Sequence, residues 1–209
     1  MTLLHGQTDE PAPRLIEPAV ACLRAGGVVA YATDTLYGLG VDPSNARAVE
    51  QLYRIKGRAV DQAIPLIAAS LAQVEASAGT LAPLARRLAE RCWPGPLTLV
   101  VPAWPGLADG VHGGTKTVAV RVPAHAVARA LAAGLGGPIT STSANRSGEP
   151  PTALPDVVAK TLGALIDTLI DTGPAPGGPP STIVDVTGDA PVLLRAGAVP
   201  WDRVLECLQ

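Results

Sequence analysis

Thr117-Val118-Ala119-Val120-Arg121-Val122 alternates over its whole length, with Val118, Val120 and Val122 on one side and Thr117, Ala119 and Arg121 on the other. A period of two is the mark of a β-strand with one face in a core. With the valines inward, Arg121 points out of the sheet toward an open face. Upstream, Gly26 and Gly27 break a helical segment, the apolar run Val28–Tyr31 reads as a short buried strand, and the polar turn Thr33-Asp34-Thr35 follows. Ser44 or Asn45 can cap a helix whose Val49, Leu52, Tyr53 and Ile55 fall at helical spacing. Gly57 is its stop, so Lys56 and Arg58 sit where the helix gives way to a loop. A second helix runs from Pro83 to Arg91, with Leu84 and Leu88 inward and Arg87 and Arg91 outward, and ends by Pro94; Leu97–Val101 is the next strand.

Downstream of the alternating stretch, Ala124–Leu135 reads as a helix ending in Gly134–Gly137, and Ile139 leads a strand into the dense hydroxyl loop Ser141–Asn145. A further helix follows Pro155 and a strand follows at Leu169-Ile170. Residues 173–180, almost all Gly and Pro, form a loop expected to be mobile over a site. Ile183–Val186 and Val192–Leu194 are short late strands. Strands and helices thus interleave without a fixed repeat, which specifies the α/β class with a single sheet and flanking helices.

At 209 residues the chain suits one sizeable core, so one domain over 1–209 is expected, with a core from about 14 to 200 and a short tail at 201–209. Apolar residues make up 47% and charged residues 16%, a globular balance, and no run nears the roughly 18–20 apolar residues of a membrane span. The first fifteen residues hold Asp9, Glu10 and prolines where a secretory leader needs a basic patch and an apolar stretch. A cytoplasmic protein is expected. Cys22, Cys92 and Cys207 have no C-x-x-C spacing, and their odd number suits a reducing compartment; each reads as a small buried hydrophobe. A net charge of −2 and a pI near 5.9 argue against broad nucleic-acid binding and leave room for a local basic groove only.

Common catalytic signatures are missing. There is no G-x-S-x-G and no H-E-x-x-H, Gly113-Gly114-Thr115-Lys116-Thr117 has the wrong order for a phosphate loop, and Gly38-Leu39-Gly40 opens a dinucleotide fingerprint without its third glycine. His5, His112 and His125 lie far apart, are expected at the surface, and form no metal-ligand spacing. Cations and hydroxyls at loop positions remain. Lys56 supplies a compact charge and Arg58 a planar fork, a pair suited to phosphate oxygens. Ser141, Ser143 and Asn145 can donate to and accept from a small polar ligand. Singly, these motifs read as a solvated helix end and a turn.

Together they resemble something specific. Tyr31-x-Thr33-Asp34-Thr35-x-Tyr37-Gly38, Lys56-Gly57-Arg58, Trp93-Pro94-Gly95-Pro96-Leu97-Thr98, Val118-Ala119-Val120-Arg121, Ser141-Thr142-Ser143-Ala144-Asn145-x-Ser147-Gly148, Ser181-Thr182-Ile183-Val184-Asp185 and Arg195-x-Gly197 stand in the order of the YrdC-like threonylcarbamoyl-AMP synthase family, over about residues 14–200. The resemblance implies a single twisted mixed sheet with flanking helices and a concave basic groove. It implies a nucleotidyltransferase that joins L-threonine, bicarbonate and ATP into L-threonylcarbamoyladenylate with release of pyrophosphate. Mg²⁺ is expected on the phosphates, with no protein ligand named. The product would pass to the tRNA threonylcarbamoyl transferase machinery.

By the same resemblance, ATP is held by Lys56, Arg58, Thr117, Ser143, Asn145 and Arg195, with Lys56 and Arg58 catalytic. Threonine is held by Thr35, Arg121, Ser141 and Ser181, the Arg121 fork meeting its carboxylate. Two departures stand out: Ala59 where the family often has proline after K-x-R, and Ala69 where many members have a histidine beyond Pro65-Leu66. Longer members also carry a second domain. The rivals are a weak tRNA- or RNA-binding module using the basic groove, disfavoured by 3% aromatic content, and a carbamoyl-transfer module of the hydrogenase-maturation kind, whose zinc-binding cysteine motifs are missing.

Overall fold

The computed structural model describes residues 1–7, 11–58 and 62–209; Asp9, Glu10 and Ala59 lie outside the described residues. The element order is β1 (Thr2–His5), α1 (Pro13–Arg24), β2 (Val29–Ala32), β3 (Tyr37–Gly40), α2 (Ala46–Lys56), β4 (Leu66–Ile67), α3 (Leu71–Ala78), α4 (Pro83–Cys92), β5 (Leu97–Pro102), α5 (Asp109–His112), β6 (Thr117–Arg121), α6 (Ala126–Leu135), β7 (Ile139–Thr140), β8 (Thr142–Ser143), α7 (Pro155–Leu162), β9 (Thr168–Asp171), β10 (Thr182–Asp185), β11 (Val192–Arg195) and α8 (Trp201–Glu206).

Local signals set the ends of α2. The Asn45 side chain accepts hydrogen bonds from the amides of Arg47 and Ala48, and Gly57 closes the helix in the left-handed conformation at φ 59°. A Cβ at Gly57 would meet nothing within 4 Å. Gly57→Ala is therefore expected to lower stability by about 1 kcal/mol, from the backbone conformation alone, as a shift in urea denaturation midpoint. An unchanged midpoint would show that the α2 terminus relaxes without its glycine.

The α/β class, the mixed pairing and the flanking helices are as expected, but the single sheet divides in two. One sheet runs β1-β9-β2-β3-β8 and the other β11-β10-β5-β6-β4-β7. The eleven short strands among the described residues exceed what a strongly twisted sheet carries without splitting. The division falls inside one stretch of chain: β7 pairs with β4 in the second sheet, β8 pairs with β3 in the first, and Ser141 is the residue between them. The hydroxyl run Ser141–Asn145 expected as a loop therefore contains a strand fragment, β8, directly after the expected strand at Ile139. Gly40 permits this crease, because a Cβ there would lie 2.8 Å from the Tyr31 ring and 3.1 Å from the Thr140 carbonyl. Gly38-Leu39-Gly40 is thus a strand under close approach and not the start of a dinucleotide turn.

Two apolar clusters flank the sheets. The larger gathers Leu52, Leu88, Leu97, Val120 and Val184; the smaller gathers Leu15, Leu23, Tyr31, Val127 and Leu131. Leu66 belongs to the first and Ile67 to the second, so β4 is covered on both faces. Val118, Val120 and Val122 are all buried, as the alternation requires. Arg121, however, is also buried at 7% exposure instead of facing an open side. His125, expected at the surface, is buried at the start of α6, where that helix packs against α1. Residues 173–180 carry no regular structure but are tied down: Gly177 donates to the Thr35 carbonyl at 2.8 Å, Ala175 to Ala153, and the Tyr37 hydroxyl to Gly173. Among the described residues no helix is long and apolar enough to cross a membrane.

Candidate active site

At the crease between the sheets lies a cavity of about 470 Å³, a size that suits a small-molecule ligand. Of the residues expected in a site, Thr35, Arg58, Arg121, Ser141, Ser143, Ser181 and Arg195 line it. They come from the β2–β3 turn, the end of α2, β6, the β7–β8 crease, the start of β10 and the end of β11, so six separate segments converge. Ser141 reaches this position because its amide is held by Pro65 in one sheet while the amide of Ala144 is held by Tyr37 in the other.

Arg121 is clamped from behind. Its Nη1 donates to Asp34 Oδ1 at 2.5 Å, with side-chain exposures of 8% and 12%, while Asp34 Oδ2 accepts the amide of Ala124. One edge of the guanidinium is thereby fixed and the remainder is directed at the cavity. Sequence reasoning assigned Asp34 no role; its place between Thr33 and Thr35 was the available signal. Thr98 was missed likewise. Its hydroxyl shares a 2.8 Å hydrogen bond with that of Ser181, and the signal was its position at the end of the Trp93–Thr98 motif. Arg195 reaches in from the edge strand β11, Nε and Nη2 donating to the Ser181 carbonyl and Nη2 to its hydroxyl. Gly197 allows this approach, since a Cβ there would overlap the backbone of Pro180–Thr182.

Three expected residues are not on the cavity wall. Lys56 is buried at 4% exposure, and its ammonium donates to the Ser143 carbonyl at 2.6 Å, to Asn145 Oδ1 at 2.8 Å and to the Ser143 hydroxyl at 3.3 Å. Asn145 is buried behind Ser143, accepting from that hydroxyl and donating to the Glu149 carbonyl. Lys56 thus fastens the Ser143–Asn145 segment to the end of α2 and presents no donor of its own to the cavity. Thr117 begins β6 and Arg121 ends it. Four residues of strand rise place Thr117 roughly 13 Å from the site, and it hydrogen-bonds Thr115 instead. Ala69, where the family histidine would stand, is packed against the smaller cluster away from the cavity.

The electrostatics favour an anion. Three guanidiniums, Arg58, Arg121 and Arg195, line one cavity, and among the described residues its walls hold no carboxylate. Burial, and then the neighbouring Arg121, lowers the pKa of Arg195; burial, and then Arg58, lowers that of Lys56 to about 8. Cations that depress one another gain when an anion enters between them. Arg58 adds a buried Nε with no partner among the described residues, while its Nη2 is anchored to the Ala63 carbonyl at 2.9 Å. Among the described residues no group of three or more His, Cys, Asp and Glu could hold a metal ion. The described walls offer hydroxyls and guanidiniums.

A protein family named Sua5_yciO_yrdC and described as telomere recombination matches residues 21–197. A threonylcarbamoyl-AMP synthase of Bacillus subtilis (strain 168) is 40% identical over 190 residues, covering 90% of this chain and 55% of the relative. One of Thiobacillus denitrificans is 42% identical over 166 residues, 79% of this chain and 88% of the relative. The crystal structure of Pyrococcus abyssi Sua5 complexed with L-threonine superposes with a TM-score of 0.93 at 36% identity, covering 100% of this chain and 61% of that one. The chain therefore spans only about three fifths of the longer relatives, yet nearly the whole of the shorter one. With the family match over most of its length and relatives about 40% identical, the chain belongs to the Sua5/YciO/YrdC family.

Proposed function

We propose that this chain is a threonylcarbamoyl-AMP synthase, a nucleotidyltransferase converting L-threonine, bicarbonate and ATP into L-threonylcarbamoyladenylate and pyrophosphate, with residues 14–200 acting as one catalytic unit. The observation that carries the reading is the set of three guanidiniums, Arg58, Arg121 and Arg195, facing one cavity. The N-carboxylated threonine and the phosphates of ATP are both anions, and their repulsion is the main barrier to bringing them together. The names of the relatives and the threonine in the Pyrococcus abyssi structure support the same choice.

In this reading the free edge of Arg121 takes the threonine carboxylate, and Thr35, Ser141 and Ser181 hold the rest of the amino acid. The ammonium of threonine loses one proton to the hydroxide set free as bicarbonate gives CO₂, forming water; the neutral amine adds to CO₂ and releases a second proton to solvent, giving an N-carboxylate. One of its oxygens attacks the α-phosphorus of ATP; the new O–P bond forms as the bond to the bridging oxygen breaks, and pyrophosphate leaves with the electron pair. Arg58 and Arg195 stabilise charge on the phosphates, and the Ser143 hydroxyl adds a hydrogen bond. Such preorganised donors typically contribute several kcal/mol to the barrier. Lys56 and Asn145 act by holding Ser143 in place. Mg²⁺ arrives on the phosphates, and no protein nucleophile is needed. The adenylate is passed in the cytoplasm to the tRNA-modifying transferase, and the cavity's size and hydroxyl lining favour small substrates over a nucleic acid strand.

Pyrophosphate release from ATP, measured with threonine and bicarbonate each omitted in turn, tests the assignment. Release is expected only when both are present. Release that continues unchanged without threonine removes the reading.

A further inference from the structure

Cys92 and Cys207 lie 115 residues apart in the chain, yet the fold sets their sulfurs 3.3 Å from each other. Cys92 ends α4 and is partly exposed; Cys207 caps α8 and is buried. The two helices are held together by other means as well. Arg87 on α4 donates to the Leu208 carbonyl at 2.8 Å, and Val204 on α8 is buried in the larger cluster with Leu88 of α4. The thiols are therefore neighbours because the C-terminal ends of α4 and α8 meet at the edge of the larger cluster, where Cys207 is buried and Cys92 packs against it. A shift of about 1 Å would bring the sulfurs to bonding distance.

We propose that Cys92 and Cys207 form a reversible disulfide by exchange with a low-molecular-mass disulfide, RSSR. The Cys92 thiolate, which solvent reaches, attacks one sulfur of RSSR; a Cys92–S–S–R bond forms and RSH leaves with the proton. The Cys207 thiolate then attacks the Cys92 sulfur and displaces the second RSH. Two protein thiols are oxidised, two electrons pass to RSSR, and two RSH are produced. Burial and the adjoining Cys207 push the Cys92 pKa up to about 12, against a smaller opposing effect of Arg203 and Arg91, so exchange is slow near neutrality.

The bridge would close a circuit behind the cavity wall. From Cys92 the chain runs through Trp93–Pro96 into β5, where Thr98 holds the Ser181 hydroxyl and Pro96 accepts the Thr182 amide. Thr182 exchanges hydrogen bonds with Val199, two residues before α8 begins, and α8 leads back to Cys207. A covalent link there fastens the support of Ser181 to itself.

The full chain, incubated with oxidised glutathione, tests this independently of the proposed activity. The expected result is a fall from three free thiols to one, a mass loss of about 2 Da with no glutathione retained, and a Cys92–Cys207 cross-linked peptide. Closing so long a loop should also raise the melting temperature by roughly 5–10 °C, reversed by dithiothreitol. Cys92→Ser and Cys207→Ser should each fold, keep the reduced protein's melting temperature and show neither change. Three thiols persisting under oxidation, or a stable glutathione adduct without the internal bridge, overturns the proposal.

Discussion

Arg121→Ala is expected to lower threonine-dependent pyrophosphate release by at least about 100-fold and to destabilise the fold by roughly 3–5 kcal/mol. Both effects come from one geometry. The guanidinium lies in a buried pair with Asp34 and turns its other edge toward the cavity. Without it, the substrate carboxylate has no fork to meet, and Asp34 is left as a largely buried charge whose remaining hydrogen bond, among the described residues, comes from the amide of Ala124. The two losses separate in a second variant. Asp34→Ala/Arg121→Ala removes both charges, so urea denaturation should show most of the stability restored while turnover stays lost. Arg121→Lys should stand between wild type and alanine in turnover, because an ammonium keeps the charge but not the bidentate edge. Wild-type turnover in Arg121→Ala would remove the threonine-carboxylate assignment, and a double variant as unstable as the single one would show that the ion pair is not what the single variant breaks.

Lys56→Met should cut turnover about ten-fold or more near neutral pH and remove an alkaline limb from the pH profile. The ammonium holds Ser143 and Asn145 by three hydrogen bonds, and its pKa is lowered from 10.5 to about 8 by burial first and Arg58 second. Wild-type activity should therefore decline as pH rises through about 8, when the ammonium loses its charge. Stability moves the other way. The folded protein binds this proton less tightly than the unfolded chain, so between about pH 8 and 10.5 the unfolded state holds more protons, and stability rises with pH across that window. Below pH 8 the buried charge opposes folding in full. Lys56→Met should lose both dependences and fold at least as well as wild type near neutrality, since Asn145 Oδ1 keeps the hydroxyl of Ser143. A variant that retains the alkaline fall in activity would show that another group titrates there.

These two residues also show how unevenly the site was legible. Lys56 and Arg58 were correctly placed at the end of α2, because the Asn45 cap and the Gly57 stop are signals carried within a few residues. Which of the pair faces the cavity was not legible. The left-handed turn at Gly57 sends Arg58 to the wall and leaves Lys56 turned inward, onto a strand fragment 87 residues away. Thr117 and Arg121 share one face of β6, so the alternation gave no reason to separate them; only the position of the cavity, at the Arg121 end, leaves Thr117 outside.

By itself the sequence determined several of the longer helices and strands, the α/β class and the inventory of polar motifs in family order, because periodicity, caps and glycine stops act over neighbouring residues; β1, β4, α3 and α8, the last in the stretch expected as a tail, were not legible. The tertiary structure alone decided that eleven strands divide into two sheets with Ser141 at the crease, that Asp34 clamps Arg121, that Thr98 supports Ser181, and that two thiols from distant helices meet. Each of those contacts joins residues more than 80 positions apart. A short window of sequence states what a segment prefers, but which side chains face one another is settled by how the finished layers pack.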